Sequence, residues 1–208
     1  MDLFERSEQR WTEVYLYGEA PRFNRNGQAG IDLGRKMADG LESGELTGDV
    51  LLDLTIVQIP KLEVMEMELR AELKRGAGVE PVPLLGKLDT ASKDLTAFKE
   101  YKQGTERWTQ TKVDKWGQIT FYATMIYILT GKIPEDIELV WMPTERVDGM
   151  RNEATGDICR FRTRRRLPEI LNMMVRQKQA WEGMERVTDQ FLWRQTSKKQ
   201  ASKRITTK

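Results

Sequence analysis

The sequence predicts an α/β fold built on a small mixed sheet, its elements running helix, three strands, helix, strand. Three observations predict it. Across residues 62–74, Met65, Met67, Leu69, Ala71 and Leu73 alternate strictly with Glu66, Glu68, Arg70, Glu72 and Lys74, the two-residue period of a half-buried strand. Residues 86–102 read as a hairpin, with Ser92-Lys93-Asp94 as turn chemistry between two alternating runs. Residues 114–130 form an apolar helical pattern that stops at Gly131, followed by a continuous apolar run at 137–142 between Pro134 and Pro143.

Length and composition bound the rest. A chain of 208 residues suits one domain, expected over 1–196, with a core at 31–142, an elaboration at 143–196 and a tail beyond. Charged residues make up 32% but balance to +2, so their distribution matters more than their sum. The start, Met1-Asp2-Leu3-Phe4-Glu5-Arg6, has no apolar leader core, and no stretch approaches bilayer length. A soluble, intracellular protein with no membrane partner is therefore expected. One cysteine, Cys159, and no histidine exclude zinc sites built on Cys and His, Ser-His-Asp triads, Cys-His pairs and four-cysteine iron–sulfur clusters. Carboxylates, lysine and tyrosine remain for catalysis.

In chain order, Phe4, Trp11, Val14, Tyr15 and Leu16 are spaced loosely as a helix over 3–17, and 18–30 reads as a polar loop in which Arg22, Asn24 and Arg25 either touch a phosphate backbone or are simply exposed. Leu33, Met37 and Leu41, four apart, give residues 31–42 an apolar helical stripe. A turn-rich interval with Gly44, Gly48 and a short apolar patch leads to the strand at 62–74. There helix-forming composition competes with strand period, and the period decides. Glu66 and Glu68 are read as the polar outer face of that strand, the alternative being that one of them faces a metal.

Beyond the hairpin, residues 103–113 form a loop in which Arg107, Trp108 and Lys112 offer charge and a stacking surface to nucleic acid; Trp108 serves equally as a core plug. In the helix from 114, Trp116, Ile119, Ala123, Ile126 and Tyr127 face inward. A second hairpin at 146–156 and a strand at 157–163 lead to Arg164, Arg165 and Arg166, a basic patch suited to a DNA backbone or merely a solvated strand end. Pro168 opens a long helix to about Trp193, and residues 197–208, with five cations, are expected to be disordered alone and to hold DNA electrostatically.

Within the hairpin, Glu100 and Lys102 lie two apart on one strand and so share a face, while Asp89 ends the partner strand. Two acids and an ammonium on one small volume suit Mg²⁺, which prefers oxygen ligands and water, and a lysine beside it can orient an attacking water. Gln118 and Tyr122 are four apart on the helix that follows, hence neighbours on one face.

These residues, with Gly86-x-x-Asp89 ahead and Lys102-Gln103-Gly104 between, resemble the Asp…Glu-x-Lys and Gln-x-x-x-Tyr motifs of the PD-(D/E)XK nuclease superfamily, in its RecB-like, lambda-exonuclease-like branch. The resemblance spans residues 31–142. It implies a restriction-endonuclease-like αβββαβ core and Mg²⁺-dependent hydrolysis of DNA, with Mn²⁺ as a substitute. Asp89, Glu100 and the Tyr101 carbonyl would hold the metal, Lys102 would position water, and Gln118 and Tyr122 would brace the lysine and contact the substrate. Where the family has histidine on the early helix this chain has Ala38, which leaves Glu42, four residues on, as the helix-borne acid or as a solvated glutamate. An exonuclease of phage or mobile-element type in the host cytoplasm is implied, acting in recombination or repair. Its implied partners are DNA, a recombination or single-strand-binding protein, and further copies of itself. An inactive DNA- or protein-binding relative and a site-specific endonuclease are the alternatives.

Overall fold

A computed structural model describes residues 7–16, 25–147 and 151–205. In chain order these form α1 (Glu8–Tyr15), α2 (Arg25–Ser43), α3 (Val50–Gln58), β1 (Val64–Leu73), β2 (Val82–Ala91), β3 (Ala97–Gly104), α4 (Gln110–Asp114), α5 (Gly117–Thr130), β4 (Asp136–Val147), β5 (Arg151–Ala154), β6 (Cys159–Thr163) and α6 (Leu167–Ile205). The chain is α/β with a mixed, open sheet. Among the described residues, no helix is long and apolar enough to cross a membrane.

Residues 25–73 and 83–173 make one compact unit. Its strands lie in the order β1-β2-β3-β4-β5, with β6 also on β4. β2 and β3 are antiparallel, whereas β3 and β4 run parallel from Ala97↔Asp136 to Gly104↔Pro143. A parallel neighbour requires a crossover, and α4 and α5 supply it. β4 is long enough to serve two antiparallel partners in succession, β6 along 137–141 and β5 along 144–147.

The alternation predicted for the first strand is present: Leu69, Ala71 and Leu73 are buried and the residues between them exposed. Helices cover both faces. Phe98 meets Tyr122 of α5 edge-on, ring centroids 6.2 Å apart. Tyr101, three residues further along β3 and so on the opposite face, packs against a cluster from α2 and α3 that includes Leu33, Met37, Leu41, Leu52 and Ile56. Ile119, Met125, Phe98 and Leu52 are almost wholly buried, each worth about 1.5–3 kcal/mol.

Two glycines permit close approach. A Cβ on Gly40 would lie 2.7 Å from Ile56 Cδ1, where α2 crosses α3. One on Gly86 would lie 2.9 Å from both Met125 Sδ and the Tyr122 ring, where α5 meets β2.

Several boundaries differ from expectation. Residues 50–58, read as a patch among turns, form α3, because Asp49 accepts from Leu51 N and Leu52 N as an N-cap and Asp53 ties back to Thr47. The helix expected from 114 begins at Gly117, after Trp116 in an extended conformation (φ −75°, ψ 120°), and a separate short helix, α4, occupies Gln110–Asp114 at the end of the segment read as loop. β3 begins at Ala97, not Leu95, because Asp94 accepts from Thr96 N and Leu95 is left-handed at φ 60°. α2 begins at Arg25, inside the segment read as loop; Arg22, Asn24 and residues 1–6 lie outside the described residues. α6 opens at Leu167, with Glu169 accepting from Arg166 N, and passes Trp193 to Ile205. The segment from Ser197, expected to be disordered, is thus helical to that point, with no Gly or Pro after Gly183 to stop it.

The second unit comprises residues 7–16, 74–82 and 174–205. Within it Arg75 makes a bidentate pair with Glu185 at 2.7 and 3.0 Å, and Trp181 Nε1 donates to the same carboxylate.

Candidate active site

β3 delivers the acid–lysine pair. Glu100 and Lys102 share a face, and Lys102 Nζ donates to Glu100 Oε1 at 2.6 Å. Glu100 is 2% exposed, and its second oxygen, Oε2, is buried without a hydrogen-bond partner. Burial, then the charge of Asp89, push its carboxyl up to about 7, with Lys102 opposing. A carboxylate in such a place lacks a positive or protic partner for one oxygen.

Asp89 stands on β2 where the β2–β3 ladder gives way. Beyond Thr90↔Lys99, the Tyr101 N–H donates to Asp89 Oδ2 at 2.6 Å. Burial raises the Asp89 pKa, more than the Tyr101 amide and Lys102 lower it. Asp89, Tyr101 and Glu42 line one cavity of about 210 Å³ together with Ala38 and Glu66. Ala38 and the exposed Glu42 are thus on the same wall, one helical turn apart.

Glu66 is exposed, as expected of the outer face of β1, and also lines the cavity that holds Asp89. Its backbone is left-handed, φ 52° in mid-strand, and its carboxylate pairs with Lys87. Such a conformation costs on the order of 1–3 kcal/mol in a non-glycine residue. Glu68 keeps to the outer face, paired with Arg70.

Gln118 and Tyr122 meet as their spacing predicts, Gln118 Nε2 donating to Tyr122 Oη at 2.8 Å. Burial followed by the charge of Glu100 pushes the phenol up to about 12, with the Gln118 hydrogen bond opposing. This pair links α5 to β2. Lys102 is braced instead by Glu100 and by Trp116, whose ring centroid lies 4.9 Å from Nζ. Trp116 was read as a core residue of the helix; its extended backbone at the α4–α5 junction aims it at the lysine.

Trp108 stacks edge-on against Trp116 at 4.7 Å, and Lys112 Nζ sits 4.3 Å from the Trp108 centroid. Lys112 also pairs with Glu106, and Arg107 is exposed. The basic patch divides. Arg164 and Arg166 are exposed, but Arg165 is 4% exposed and donates to Val113 O, Trp116 O, Thr120 Oγ1 and Thr163 Oγ1. Its guanidinium closes the C-terminus of α4 and the entry to α5, so it is withdrawn from any DNA contact.

Among the described residues, no three acidic, cysteine or histidine side chains gather closely enough to enclose a metal. The donor set still fits Mg²⁺, which is commonly held by one or two carboxylates with water and substrate oxygens completing its shell. Asp89 and Glu100 repel each other, and Glu100 Oε2 lacks a partner that a cation would provide.

The residues missed in sequence were Lys87, Trp116 and Gln103. Gln103 Nε2 donates to Gly30 O at 2.7 Å, and a Gln directly after the lysine was the available signal for it. No protein-family model matches the chain, and no curated protein matches it.

Proposed function

We propose that this protein is a divalent-metal-dependent DNA nuclease that hydrolyses phosphodiester bonds from DNA ends, resembling the RecB-like branch of the PD-(D/E)XK nucleases. The observation that carries the proposal is the buried, unpartnered Oε2 of Glu100 beside Asp89 and Lys102. Asp89, Glu100 and the Tyr101 carbonyl hold the ion, with Glu42 on the facing helix. When bound, Mg²⁺ supplies Lewis-acid stabilisation of the negative charge that builds on the phosphate. Lys102 orients the attacking water and stabilises developing charge, held by Glu100 on one side and Trp116 on the other. Gln118 and Tyr122 fix α5 against β2 and offer polar groups to the substrate backbone. Trp108, Arg107 and Lys112 give the strand a surface to stack and pair on, with Arg164 and Arg166 as further phosphate contacts. Recombination or repair of phage or mobile-element DNA in the host cytoplasm is the proposed setting, with a recombination or single-strand-binding protein or further copies of the chain as partners.

A second reading is an inactive DNA- or protein-binding module on the same framework, favoured by Ala38 on the early helix where the resembled family carries histidine. The test is digestion of end-labelled linear DNA with Mg²⁺ or Mn²⁺. Cleavage is expected in the parent protein and a loss of about 10²-fold or more in Lys102→Ala and Glu100→Gln. No cleavage by the folded parent protein favours the binding module. Cutting of closed circular DNA as readily as linear DNA replaces exonuclease with endonuclease.

A further inference from the structure

α3 is a surface helix with little polarity for its place. Six of the nine residues in Val50–Gln58 are apolar, and a helix apolar on every side is ordinarily buried. Here one side alone is buried, through Leu52, Thr55 and Ile56. Val50, Leu54 and Val57, spaced i, i+4 and i+7 and so on one face, are 74%, 48% and 68% exposed. Leu51 beside them and Leu46 in the loop ahead are exposed as well. Single exposed apolar residues are ordinary, but a set gathered on one helix marks a surface that another chain covers.

The surroundings of this face are acidic. Asp53, the one charge in the helix, is turned back to Thr47 and Gly48, which donate to its two oxygens. From Met37 to Pro60 the sequence carries five carboxylates and no lysine or arginine, and Glu42, Glu45 and Asp49 are exposed. An occupant matched to this face therefore combines apolar bulk with positive charge. The end of the chain has that composition. Residues 190–208 hold six lysines and arginines and no acid, the run is helical as far as Ile205, and at its start Trp193 is 70% exposed. Tryptophan and arginine are enriched at the energetic centres of interfaces. Nucleic acid could neutralise the cations of this segment, but it would leave the apolar face of α3 in water.

We propose that the end of α6, from Trp193 onward, docks on the exposed face of α3 in a second copy of this chain, its cations answering the carboxylates around α3. The two surfaces differ, so the contact is head to tail. Each copy offers one α3 face and one helix end, and copies add until a ring closes or a filament grows. The inference does not depend on the nuclease reading.

The test is sedimentation velocity of the full-length protein over rising concentration. Assemblies that grow with concentration are expected. Val57→Lys removes apolar contact and adds a like charge opposite the cationic segment, and Trp193→Ala removes the aromatic anchor. Both positions are exposed, so both variants should melt like the parent, and each should weaken association about 10-fold or more. An equimolar mixture of the two should form dimers and stop there. It contains one intact α3 face, on the Trp193→Ala copy, and one intact helix end, on the Val57→Lys copy. A parent that stays monomeric at every concentration overturns the contact and leaves the helix end to nucleic acid. A Trp193→Ala variant that assembles like the parent overturns it too, assigning the association to a like-with-like contact or to another surface. A mixture that remains monomeric while the parent assembles also overturns it.

Discussion

Glu100 sets the behaviour of the site at the scale of single residues. In the metal-free protein its carboxyl is raised to about 7 by burial and by Asp89, against an unfolded value near 4.5. The folded state therefore holds this proton more tightly than the unfolded state. Its contribution to stability is full below about pH 4.5 and is lost as pH rises through about 7. In EDTA, chemical denaturation should show stability falling across that window, and Glu100→Gln should abolish the fall. Above pH 7 the variant should be the more stable protein by a few kcal/mol, each pKa unit being worth about 1.4 kcal/mol. An unchanged pH profile in the variant would mean that Glu100 is not the group responsible. Trp116 acts on Lys102 through its ring, so Trp116→Leu should lower kcat about 2- to 30-fold, the range of a cation–π contact, with Mg²⁺ affinity unchanged. Equal losses in turnover and melting temperature would mark the tryptophan as packing alone. The acid–lysine spacing on β3 was legible in sequence because a strand repeats every two residues. The role of Trp116 was not, because it depends on a helix break that Arg165, 49 residues away in sequence, helps to cap.

Local chemistry decides whether individual elements form and how closely they pack. α3 depends on Asp49, whose Oδ1 accepts from two otherwise unsatisfied amides at its first turn. Asp49→Ala should cost about 1 kcal/mol by urea unfolding. Gly86→Ala should cost more, about 1–3 kcal/mol, because its Cβ would meet the Tyr122 ring and Met125 at 2.9 Å; a neutral result would show that α5 can lift from β2 without loss. The α3 signal was present in Thr47-Gly48-Asp49 ahead of an apolar run and was outweighed by the two nearby glycines. β1, by contrast, formed despite its helix-favouring composition, because alternation lets one face bury Leu69, Ala71 and Leu73 at once.

Across the whole molecule, the sheet is pinned by an ion triad on neighbouring strands, in which Lys99 and Glu138 are buried and Arg160 is exposed. Lys99 Nζ donates to Glu138 Oε2 at 2.6 Å, and Arg160 donates to both oxygens of the same carboxylate at 2.8 and 3.0 Å. Lys99 and Glu138 are directly opposite in the parallel β3–β4 register, as are Glu138 and Arg162 between β4 and β6. Although burial alone would raise the Glu138 pKa, Arg160 and Lys99 more than offset it and hold it below the usual value. Glu138→Gln should therefore destabilise the fold by about 3–5 kcal/mol, leaving a buried lysine uncompensated. Glu138→Leu combined with Lys99→Met should recover most of that loss in thermal melts, and failure to recover would assign the cost to packing instead of charge.

The amino-acid sequence by itself determined the α/β class, the strands β1 to β4, the hairpin, and the placing of Glu100 with Lys102 and of Gln118 with Tyr122, because each follows from a period of two or of 3.6 residues within one element. The tertiary structure alone decided that Arg165 is buried, that Glu66 pairs with Lys87 at the cavity holding Asp89, that Trp116 packs on the lysine, and that a neutral cavity adjoins the acidic one. Those outcomes depend on which segments distant in the chain come to lie side by side, and periodicity within an element carries no record of that.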